Sequence, residues 1–217
     1  MIRVCQCVRE ARTNDDVISL FLDEFTFYQC PTIANGWEEI GRNQPLARLG
    51  HNGDHKNRIV GAMSVSDGTV IFSQGTKIGV SELVEFYRRI RERYQYAKAI
   101  YLIMDNWPVH YHANVIRAAQ KARLQIIPLP TYAPWTNPIE KLWRWLRQDI
   151  LHLHRYADQW GILKEKVVCF LRRFHHGSTY LLRYTGLHGG HIPSVPTNWK
   201  VILYHAVHHS QQEVLQT

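Results

Sequence analysis

Apolar positions in this chain follow two rhythms, one of unbroken short runs and one of helical spacing. The run Val17-Ile18-Ser19-Leu20-Phe21-Leu22, closed by Asp23 and Glu24, predicts a buried strand. Residues 58–65 and 69–73 predict two more, joined by the hairpin turn Ser66-Asp67-Gly68. Ala99–Met104 is continuous apolar text ended by Asp105-Asn106, as a central strand covered on both faces requires. Leu124–Pro128 reads as a short strand closed by proline.

Helical spacing appears in 81–93, where positions 83, 84, 86, 87 and 90 are apolar and Ser81 is placed as N-cap. Residues 112–123 and 158–174 predict two further helices. The strongest helical pattern starts at Asn137-Pro138 and runs to about His154. Strands first, then strands alternating with helices, predict an α/β domain with a mixed central sheet flanked by helices. Residues 35–57, rich in Gly, Asn and His, read as a loop. The predicted organisation is a polar N-terminal tail over 1–16, one domain over 17–187, and a C-terminal tail over 188–217 without a readable pattern.

Composition changes this picture little. An apolar fraction of 45% and a charged fraction of 20% fit a globular chain and exclude wholesale disorder. No apolar run approaches the ~18–20 residues of a membrane span, and the opening text lacks a signal-peptide pattern. A cytoplasmic chain without membrane association is expected. The four cysteines, 5, 7, 30 and 169, match neither a disulfide framework nor zinc-site spacing, and read as free thiols. The paired histidines (152 with 154, 175 with 176, 208 with 209) do not share a helix face, so they lack convergent ligand spacing. Charge matters more: a net +8 suits an anionic partner, and nucleic acid is the commonest.

Three acids stand out by position. Asp23 and Asp105 close apolar strands, and ligands usually bind at such strand ends. Glu140 lies in the first turn of the strong helix, at the edge of an apolar face made by Ile139, Leu142, Trp143, Leu146 and Ile150, beside Arg144 and Arg147. Two divalent ions ~3.5–4 Å apart can stabilise both oxygens of a phosphoryl transfer. Hard ions of that kind need only two or three carboxylates from different elements. Each acid also has a plainer reading. A strand-end Asp often starts a turn, and with Asn137 as N-cap, Glu140 occupies the capping-box position. Residue spacing alone reaches a plausible acidic site beside a basic surface.

The text Asp105-Asn106-Trp107-Pro108-Val109-His110, followed by Tyr132-Ala133-Pro134-Trp135-Thr136-Asn137-Pro138-Ile139-Glu140-Lys141-Leu142-Trp143, resembles the signature of mariner-like DDE transposases, closest to their bacterial insertion-sequence branch. The 34 residues between Asp105 and Glu140 fit that branch, as does an upstream strand ending in two acids, Asp23-Glu24. Thr136 departs from the family, which more often has Leu there. The resemblance runs from about Ile18 to Leu187.

It implies an RNase H-like fold in which Asp23, Asp105 and Glu140 are catalytic and bind two Mg²⁺ or Mn²⁺ ions. The implied chemistry is phosphodiester cleavage at transposon ends, then strand transfer into target DNA. Asn106 and His110 match family positions beside the second acid. Arg144, Arg147 and Trp135 are DNA-contact candidates, with Arg155, Arg172 and Arg173 as further phosphate contacts. The implied partners are transposon-end and target DNA, a second copy in a homodimer, and a nucleoid-associated setting. Only 22 residues precede Asp23, too few for a helix-turn-helix reader. The expectation is therefore a catalytic half, either truncated or paired with an N-terminal helix-turn-helix product of a split reading frame. The alternative is a decayed copy that only binds DNA non-specifically.

Overall fold

The computed structural model describes residues 2–33, 55–130 and 136–188. A five-stranded sheet in the order β3-β2-β1-β4-β5 forms its centre. The strands are β1 (Val17–Tyr28), β2 (Lys56–Ser64), β3 (Val70–Gly75), β4 (Ala99–Met104) and β5 (Leu124–Pro128). β1 to β3 pair antiparallel, while β1, β4 and β5 run parallel, so the sheet is mixed as expected. The β2–β3 turn carries Gly68 at φ +73°, a conformation that L side chains rarely adopt.

Both faces are covered. Alternation along β1 sends Ile18, Leu20 and Leu22 into one core and Phe21, Phe25 and Phe27 into the other. Leu83, Phe86, Tyr87 and Ile90 of α2 (Val80–Arg93), with Val115 and Ala119 of α3 (Ala113–Lys121), cover the first face. Helices α1 (Ile2–Thr13), α4 (Ile139–Leu146), α5 (Trp160–Arg172) and α6 (Thr179–Thr185) cover the second.

Several boundaries differ from the sequence reading. The expected N-terminal tail is helix α1, docked on the sheet through Val4, Cys7, Val8 and Ala11. That spacing is helical, but Cys and Ala are weakly apolar and four charged residues, Arg3, Arg9, Glu10 and Arg12, surround them. β1 continues past Asp23-Glu24 to Tyr28, because Phe25 and Phe27 have core to enter. Gly79, not Ser81, caps α2, and its N–H donates to the Glu82 carboxylate at 2.8 Å. The strong helix stops sooner than His154: α4 passes into a π-helical turn, Arg147–Leu151. α6 carries no separate prediction. Most of the expected 35–57 loop and the 188–217 tail lie outside the described residues.

Trp143 locks α4 to the sheet. It is 1% exposed, stacks on Phe25 at 5.4 Å, and lies against the backbone of Gly61. A Cβ built on Gly61 would come within 2.6 Å of the indole. Gly61→Ala should therefore cost about 1–3 kcal/mol by overpacking. Denaturant titration checks this, and a Trp143→Phe background, lacking the outer ring atoms, should absorb most of the loss. Equal cost in both backgrounds would break the argument.

Candidate active site

The β1–β4 ladder aligns the first two acids. Its last pair is Phe21 opposite Ile103, and Asp23 and Asp105 stand two residues further along both parallel strands. α4 supplies the third acid. Asn137 anchors its start, donating from Nδ2 to the Leu22 carbonyl at 3.1 Å, one residue before Asp23. Its own carbonyl accepts the Glu140 N–H at 3.1 Å. Asn137 was expected to cap with its side chain. Instead that side chain is buried and ties the helix to β1, while Pro138 takes the cap position.

The three carboxylates act on one another's charge. Burial first, then the charge of Glu140 and that of Asp105, push the Asp23 pKa up to about 7, against the Glu24 amide and the Trp143 indole, whose hydrogen bonds pull it down. The indole Nε1–H donates to Asp23 Oδ2 at 3.0 Å. Among the described residues, no cation pulls the Asp23 pKa down. Burial also raises Glu140, aided by Asp105 and opposed by Arg147 and Arg144. Asp105 Oδ1 accepts the Trp107 amide at 3.0 Å, and its side chain is 55% exposed. This is a set of hard oxygen donors whose mutual repulsion at Asp23 is left uncancelled, and it suits a Mg²⁺-type ion.

Glu24 and His110 form a second arrangement. Because β1 alternates, Glu24 faces the opposite layer from Asp23, toward α2. Burial, then the charges of Asp23 and Asp105, push its pKa well above the usual carboxylate range. The His110 side chain is 1% exposed, in the 3-10 turn Pro108–Tyr111, with the Trp107 ring edge-on at 5.4 Å. Its Nε2 lies 3.7 Å from Glu24 Oε1 and 3.7 Å from Asp105 Oδ1. Burial lowers its pKa, against the pull of Asp105. Glu24 was noticed in the sequence only as a second acid. The alternation of β1 was the signal that it serves a different face.

Asn106 braces the loop after β4: Nδ2 donates to the Leu129 carbonyl at 3.1 Å and Oδ1 accepts the Tyr111 hydroxyl at 2.7 Å. Arg144 and Arg147 are exposed on the outer side of the α4 region, and Arg147 sits over the Phe25 ring at 5.2 Å. Arg173 stacks on Phe170 at 4.2 Å and pairs with Asp149 at 3.3 Å. Trp135 lies outside the described residues.

A mixed sheet between helices, with one carboxylate midway along β1 and another just past the end of β4, has the RNase H-like fold. The chain belongs to the DDE superfamily endonucleases, which residues 19–162 match. A relative from Shigella sonnei, the insertion element IS630 uncharacterized 39 kDa protein, is 27% identical over 144 residues. That match covers 66% of this chain and 41% of the relative, so the chain spans about two fifths of the relative's length. Among solved structures, the mariner Mos1 paired end complex with Mg has a TM-score of 0.55 at 13% identity, covering 85% of this chain and 58% of that one. The Mos1 strand transfer complex gives 0.51 at 16% identity, covering 85% and 58%.

Asp23 titrates with a raised folded pKa, so the native state holds its proton longer than the unfolded chain does. The associated stability is fully present below ~4, the unfolded carboxyl value, and is lost as pH rises through about 7. In metal-free buffer, stability should fall by roughly 1–3 kcal/mol from pH 5 to pH 8, with Glu24 and Glu140 adding in the same direction. Asp23→Asn should flatten that slope in urea titrations. A slope unchanged by the substitution would contradict the assignment.

Proposed function

We propose that this chain is the catalytic domain of a DNA transposase that cleaves phosphodiesters at transposon ends and joins them to target DNA with two metal ions. The observation that carries this reading is that Asp23 in β1, Asp105 after β4 and Glu140 in α4 each feel the charge of another of the three. It is supported by membership of the DDE superfamily endonucleases. Solved relatives of the fold are described as Mos1 complexes with Mg and with Mn, and as a strand transfer complex.

Asp23, Asp105 and Glu140 would hold two Mg²⁺ or Mn²⁺ ions through carboxylate oxygens. Such ions, when bound, stabilise charge on the attacking and leaving oxygens of the phosphodiester. The chain's own groups set the geometry: the Trp143 indole N–H fixes Asp23 Oδ2, and the Trp107 amide fixes Asp105 Oδ1. Arg144 and Arg147, exposed next to Glu140, meet DNA phosphates. Water breaks one P–O bond as it forms another. The freed 3′-hydroxyl then repeats that exchange on target DNA, so no covalent enzyme intermediate forms. The working complex is a homodimer on DNA, in line with the paired-end descriptions of the solved relatives.

Asp105→Asn keeps size and removes a charged oxygen ligand. Cleavage of end-containing duplexes in Mg²⁺ should fall by orders of magnitude, while metal-free stability holds or rises as acid–acid repulsion is relieved. Cleavage surviving this change, in a preparation free of host nucleases, would place the activity elsewhere. A wild-type chain that binds duplexes but never cuts, even with an N-terminal partner supplied, would favour the binding-only reading.

DNA affinity should be largely indifferent to sequence and fall steeply with salt. Arg144→Ala with Arg147→Ala should weaken it on all duplexes and flatten the salt slope by roughly one to two units. Salt titrations on end-containing and scrambled duplexes test this. A tenfold preference for the ends by this chain alone would show that it carries its own reader.

A further inference from the structure

Among the described residues, Glu24, Asp105 and His110 place one ligand atom each within 4.8 Å of the other two. The spacing excludes the simplest explanation. At 3.7 Å from both carboxylate oxygens, His110 Nε2 is too far for a hydrogen bond, which needs about 2.7–3.2 Å. Both ring nitrogens and Glu24 Oε1 are buried with no hydrogen-bond partner. Buried polar atoms rarely stay unpaired, and His110 Nε2 facing Glu24 Oε1 points to something that should lie between them.

A divalent ion fits the gap. Bonds of about 2.0–2.2 Å put two ligands roughly 3.5 Å apart at a tetrahedral angle and roughly 4.2 Å apart when trans. The two 3.7 Å separations fall inside that interval. We propose that Glu24, Asp105 and His110 form a binding site for a divalent transition-metal ion, built on the opposite side of β1 from Asp23. It shares Asp105 with the carboxylate cluster proposed above and does not otherwise rest on that reading.

The donor set defines the ion class. Mg²⁺ prefers oxygen ligands and retained water, whereas an imidazole nitrogen suits Zn²⁺ and the other later first-row ions, with Mn²⁺ the weakest binder of that series. Rigid surroundings hold the ligands in place: the Trp107 ring packs edge-on against His110, and the Trp107 amide holds Asp105 Oδ1. The half-exposed Asp105 side chain provides the way in from solvent and leaves room for water to complete the coordination.

Mn²⁺ is the probe. The full chain should bind it with imidazole ¹⁴N coupling in pulsed electron paramagnetic resonance. That coupling should persist in Asp23→Asn with Glu140→Gln, and vanish in His110→Gln. Glu24→Gln should weaken the nitrogen-coupled ion by about tenfold or more. Excess Mg²⁺ should compete poorly for it. Should His110→Gln fail to fold, ¹⁵N NMR of the unsubstituted chain decides the matter: Zn²⁺ should shift the His110 Nε2 resonance. Mn²⁺ binding without nitrogen coupling, lost in Asp23→Asn with Glu140→Gln, would overturn this site and leave the proposed function standing. A nitrogen-coupled ion as the sole Mn²⁺ bound, unaffected by those two substitutions, would do the reverse. Coupling that survives in folded His110→Gln, or an Nε2 resonance unmoved by Zn²⁺, would also overturn it.

Discussion

The indole of Trp143 is the contact on which the site depends. Its ring plane fills the space above Gly61 and stacks on Phe25, while its one polar atom reaches Asp23. One side chain therefore fixes the height of α4 on the sheet, its rotation, and the orientation of the first carboxylate. Glu140 lies one helical turn before Trp143, so its place follows from that packing. Asn137, bonded to the Leu22 carbonyl, holds the same helix at its start. The third acid thus comes from a different element yet is positioned as firmly as a strand residue.

The electrostatic design opposes the packing. Hydrophobic layers partly bury Asp23 next to two more exposed acids that repel it, and the arginines stand at the rim, where they act on Glu140 rather than on Asp23. Such a centre is destabilising as long as its carboxylates are ionised and unpaired. The Asp23 pKa near 7 expresses that conflict. Two extensive cores, one on each face of the sheet, supply the stability that lets the conflict persist.

Much of this was legible in the text. β4 and β5 match their expected spans, β4 because a strand covered on both faces leaves an unbroken apolar run with polar punctuation, and β5 because proline closes it. The acids were legible because they end such runs. Helix α1 was hidden because Val4, Cys7, Val8 and Ala11 make a thin apolar stripe among arginines and glutamate. The early end of α4 was hidden because a π-helical turn keeps apolar residues coming while it shifts their phase. The role of Asn137 was misread, since capping residues and residues that reach sideways into a sheet look alike in sequence. Trp143 was legible as core, but nothing local reveals that its nitrogen meets an acid 120 positions away.

The alternation of β1 also acts as a proofreader. Asp23 and Glu24 are neighbours that point into different layers, so a slip of one position would exchange them. The same slip would turn Phe21, Phe25 and Phe27 out of their core and force Leu20 and Leu22 into the wrong one. Burying a large apolar side chain is worth ~1.5–3 kcal/mol, so five misplaced residues impose a penalty that no rearrangement of two carboxylates could offset. Oily residues with no chemistry of their own thereby guarantee which acid faces which partner. Insertions and deletions within this strand should accordingly be far rarer among functional descendants than substitutions at its surface.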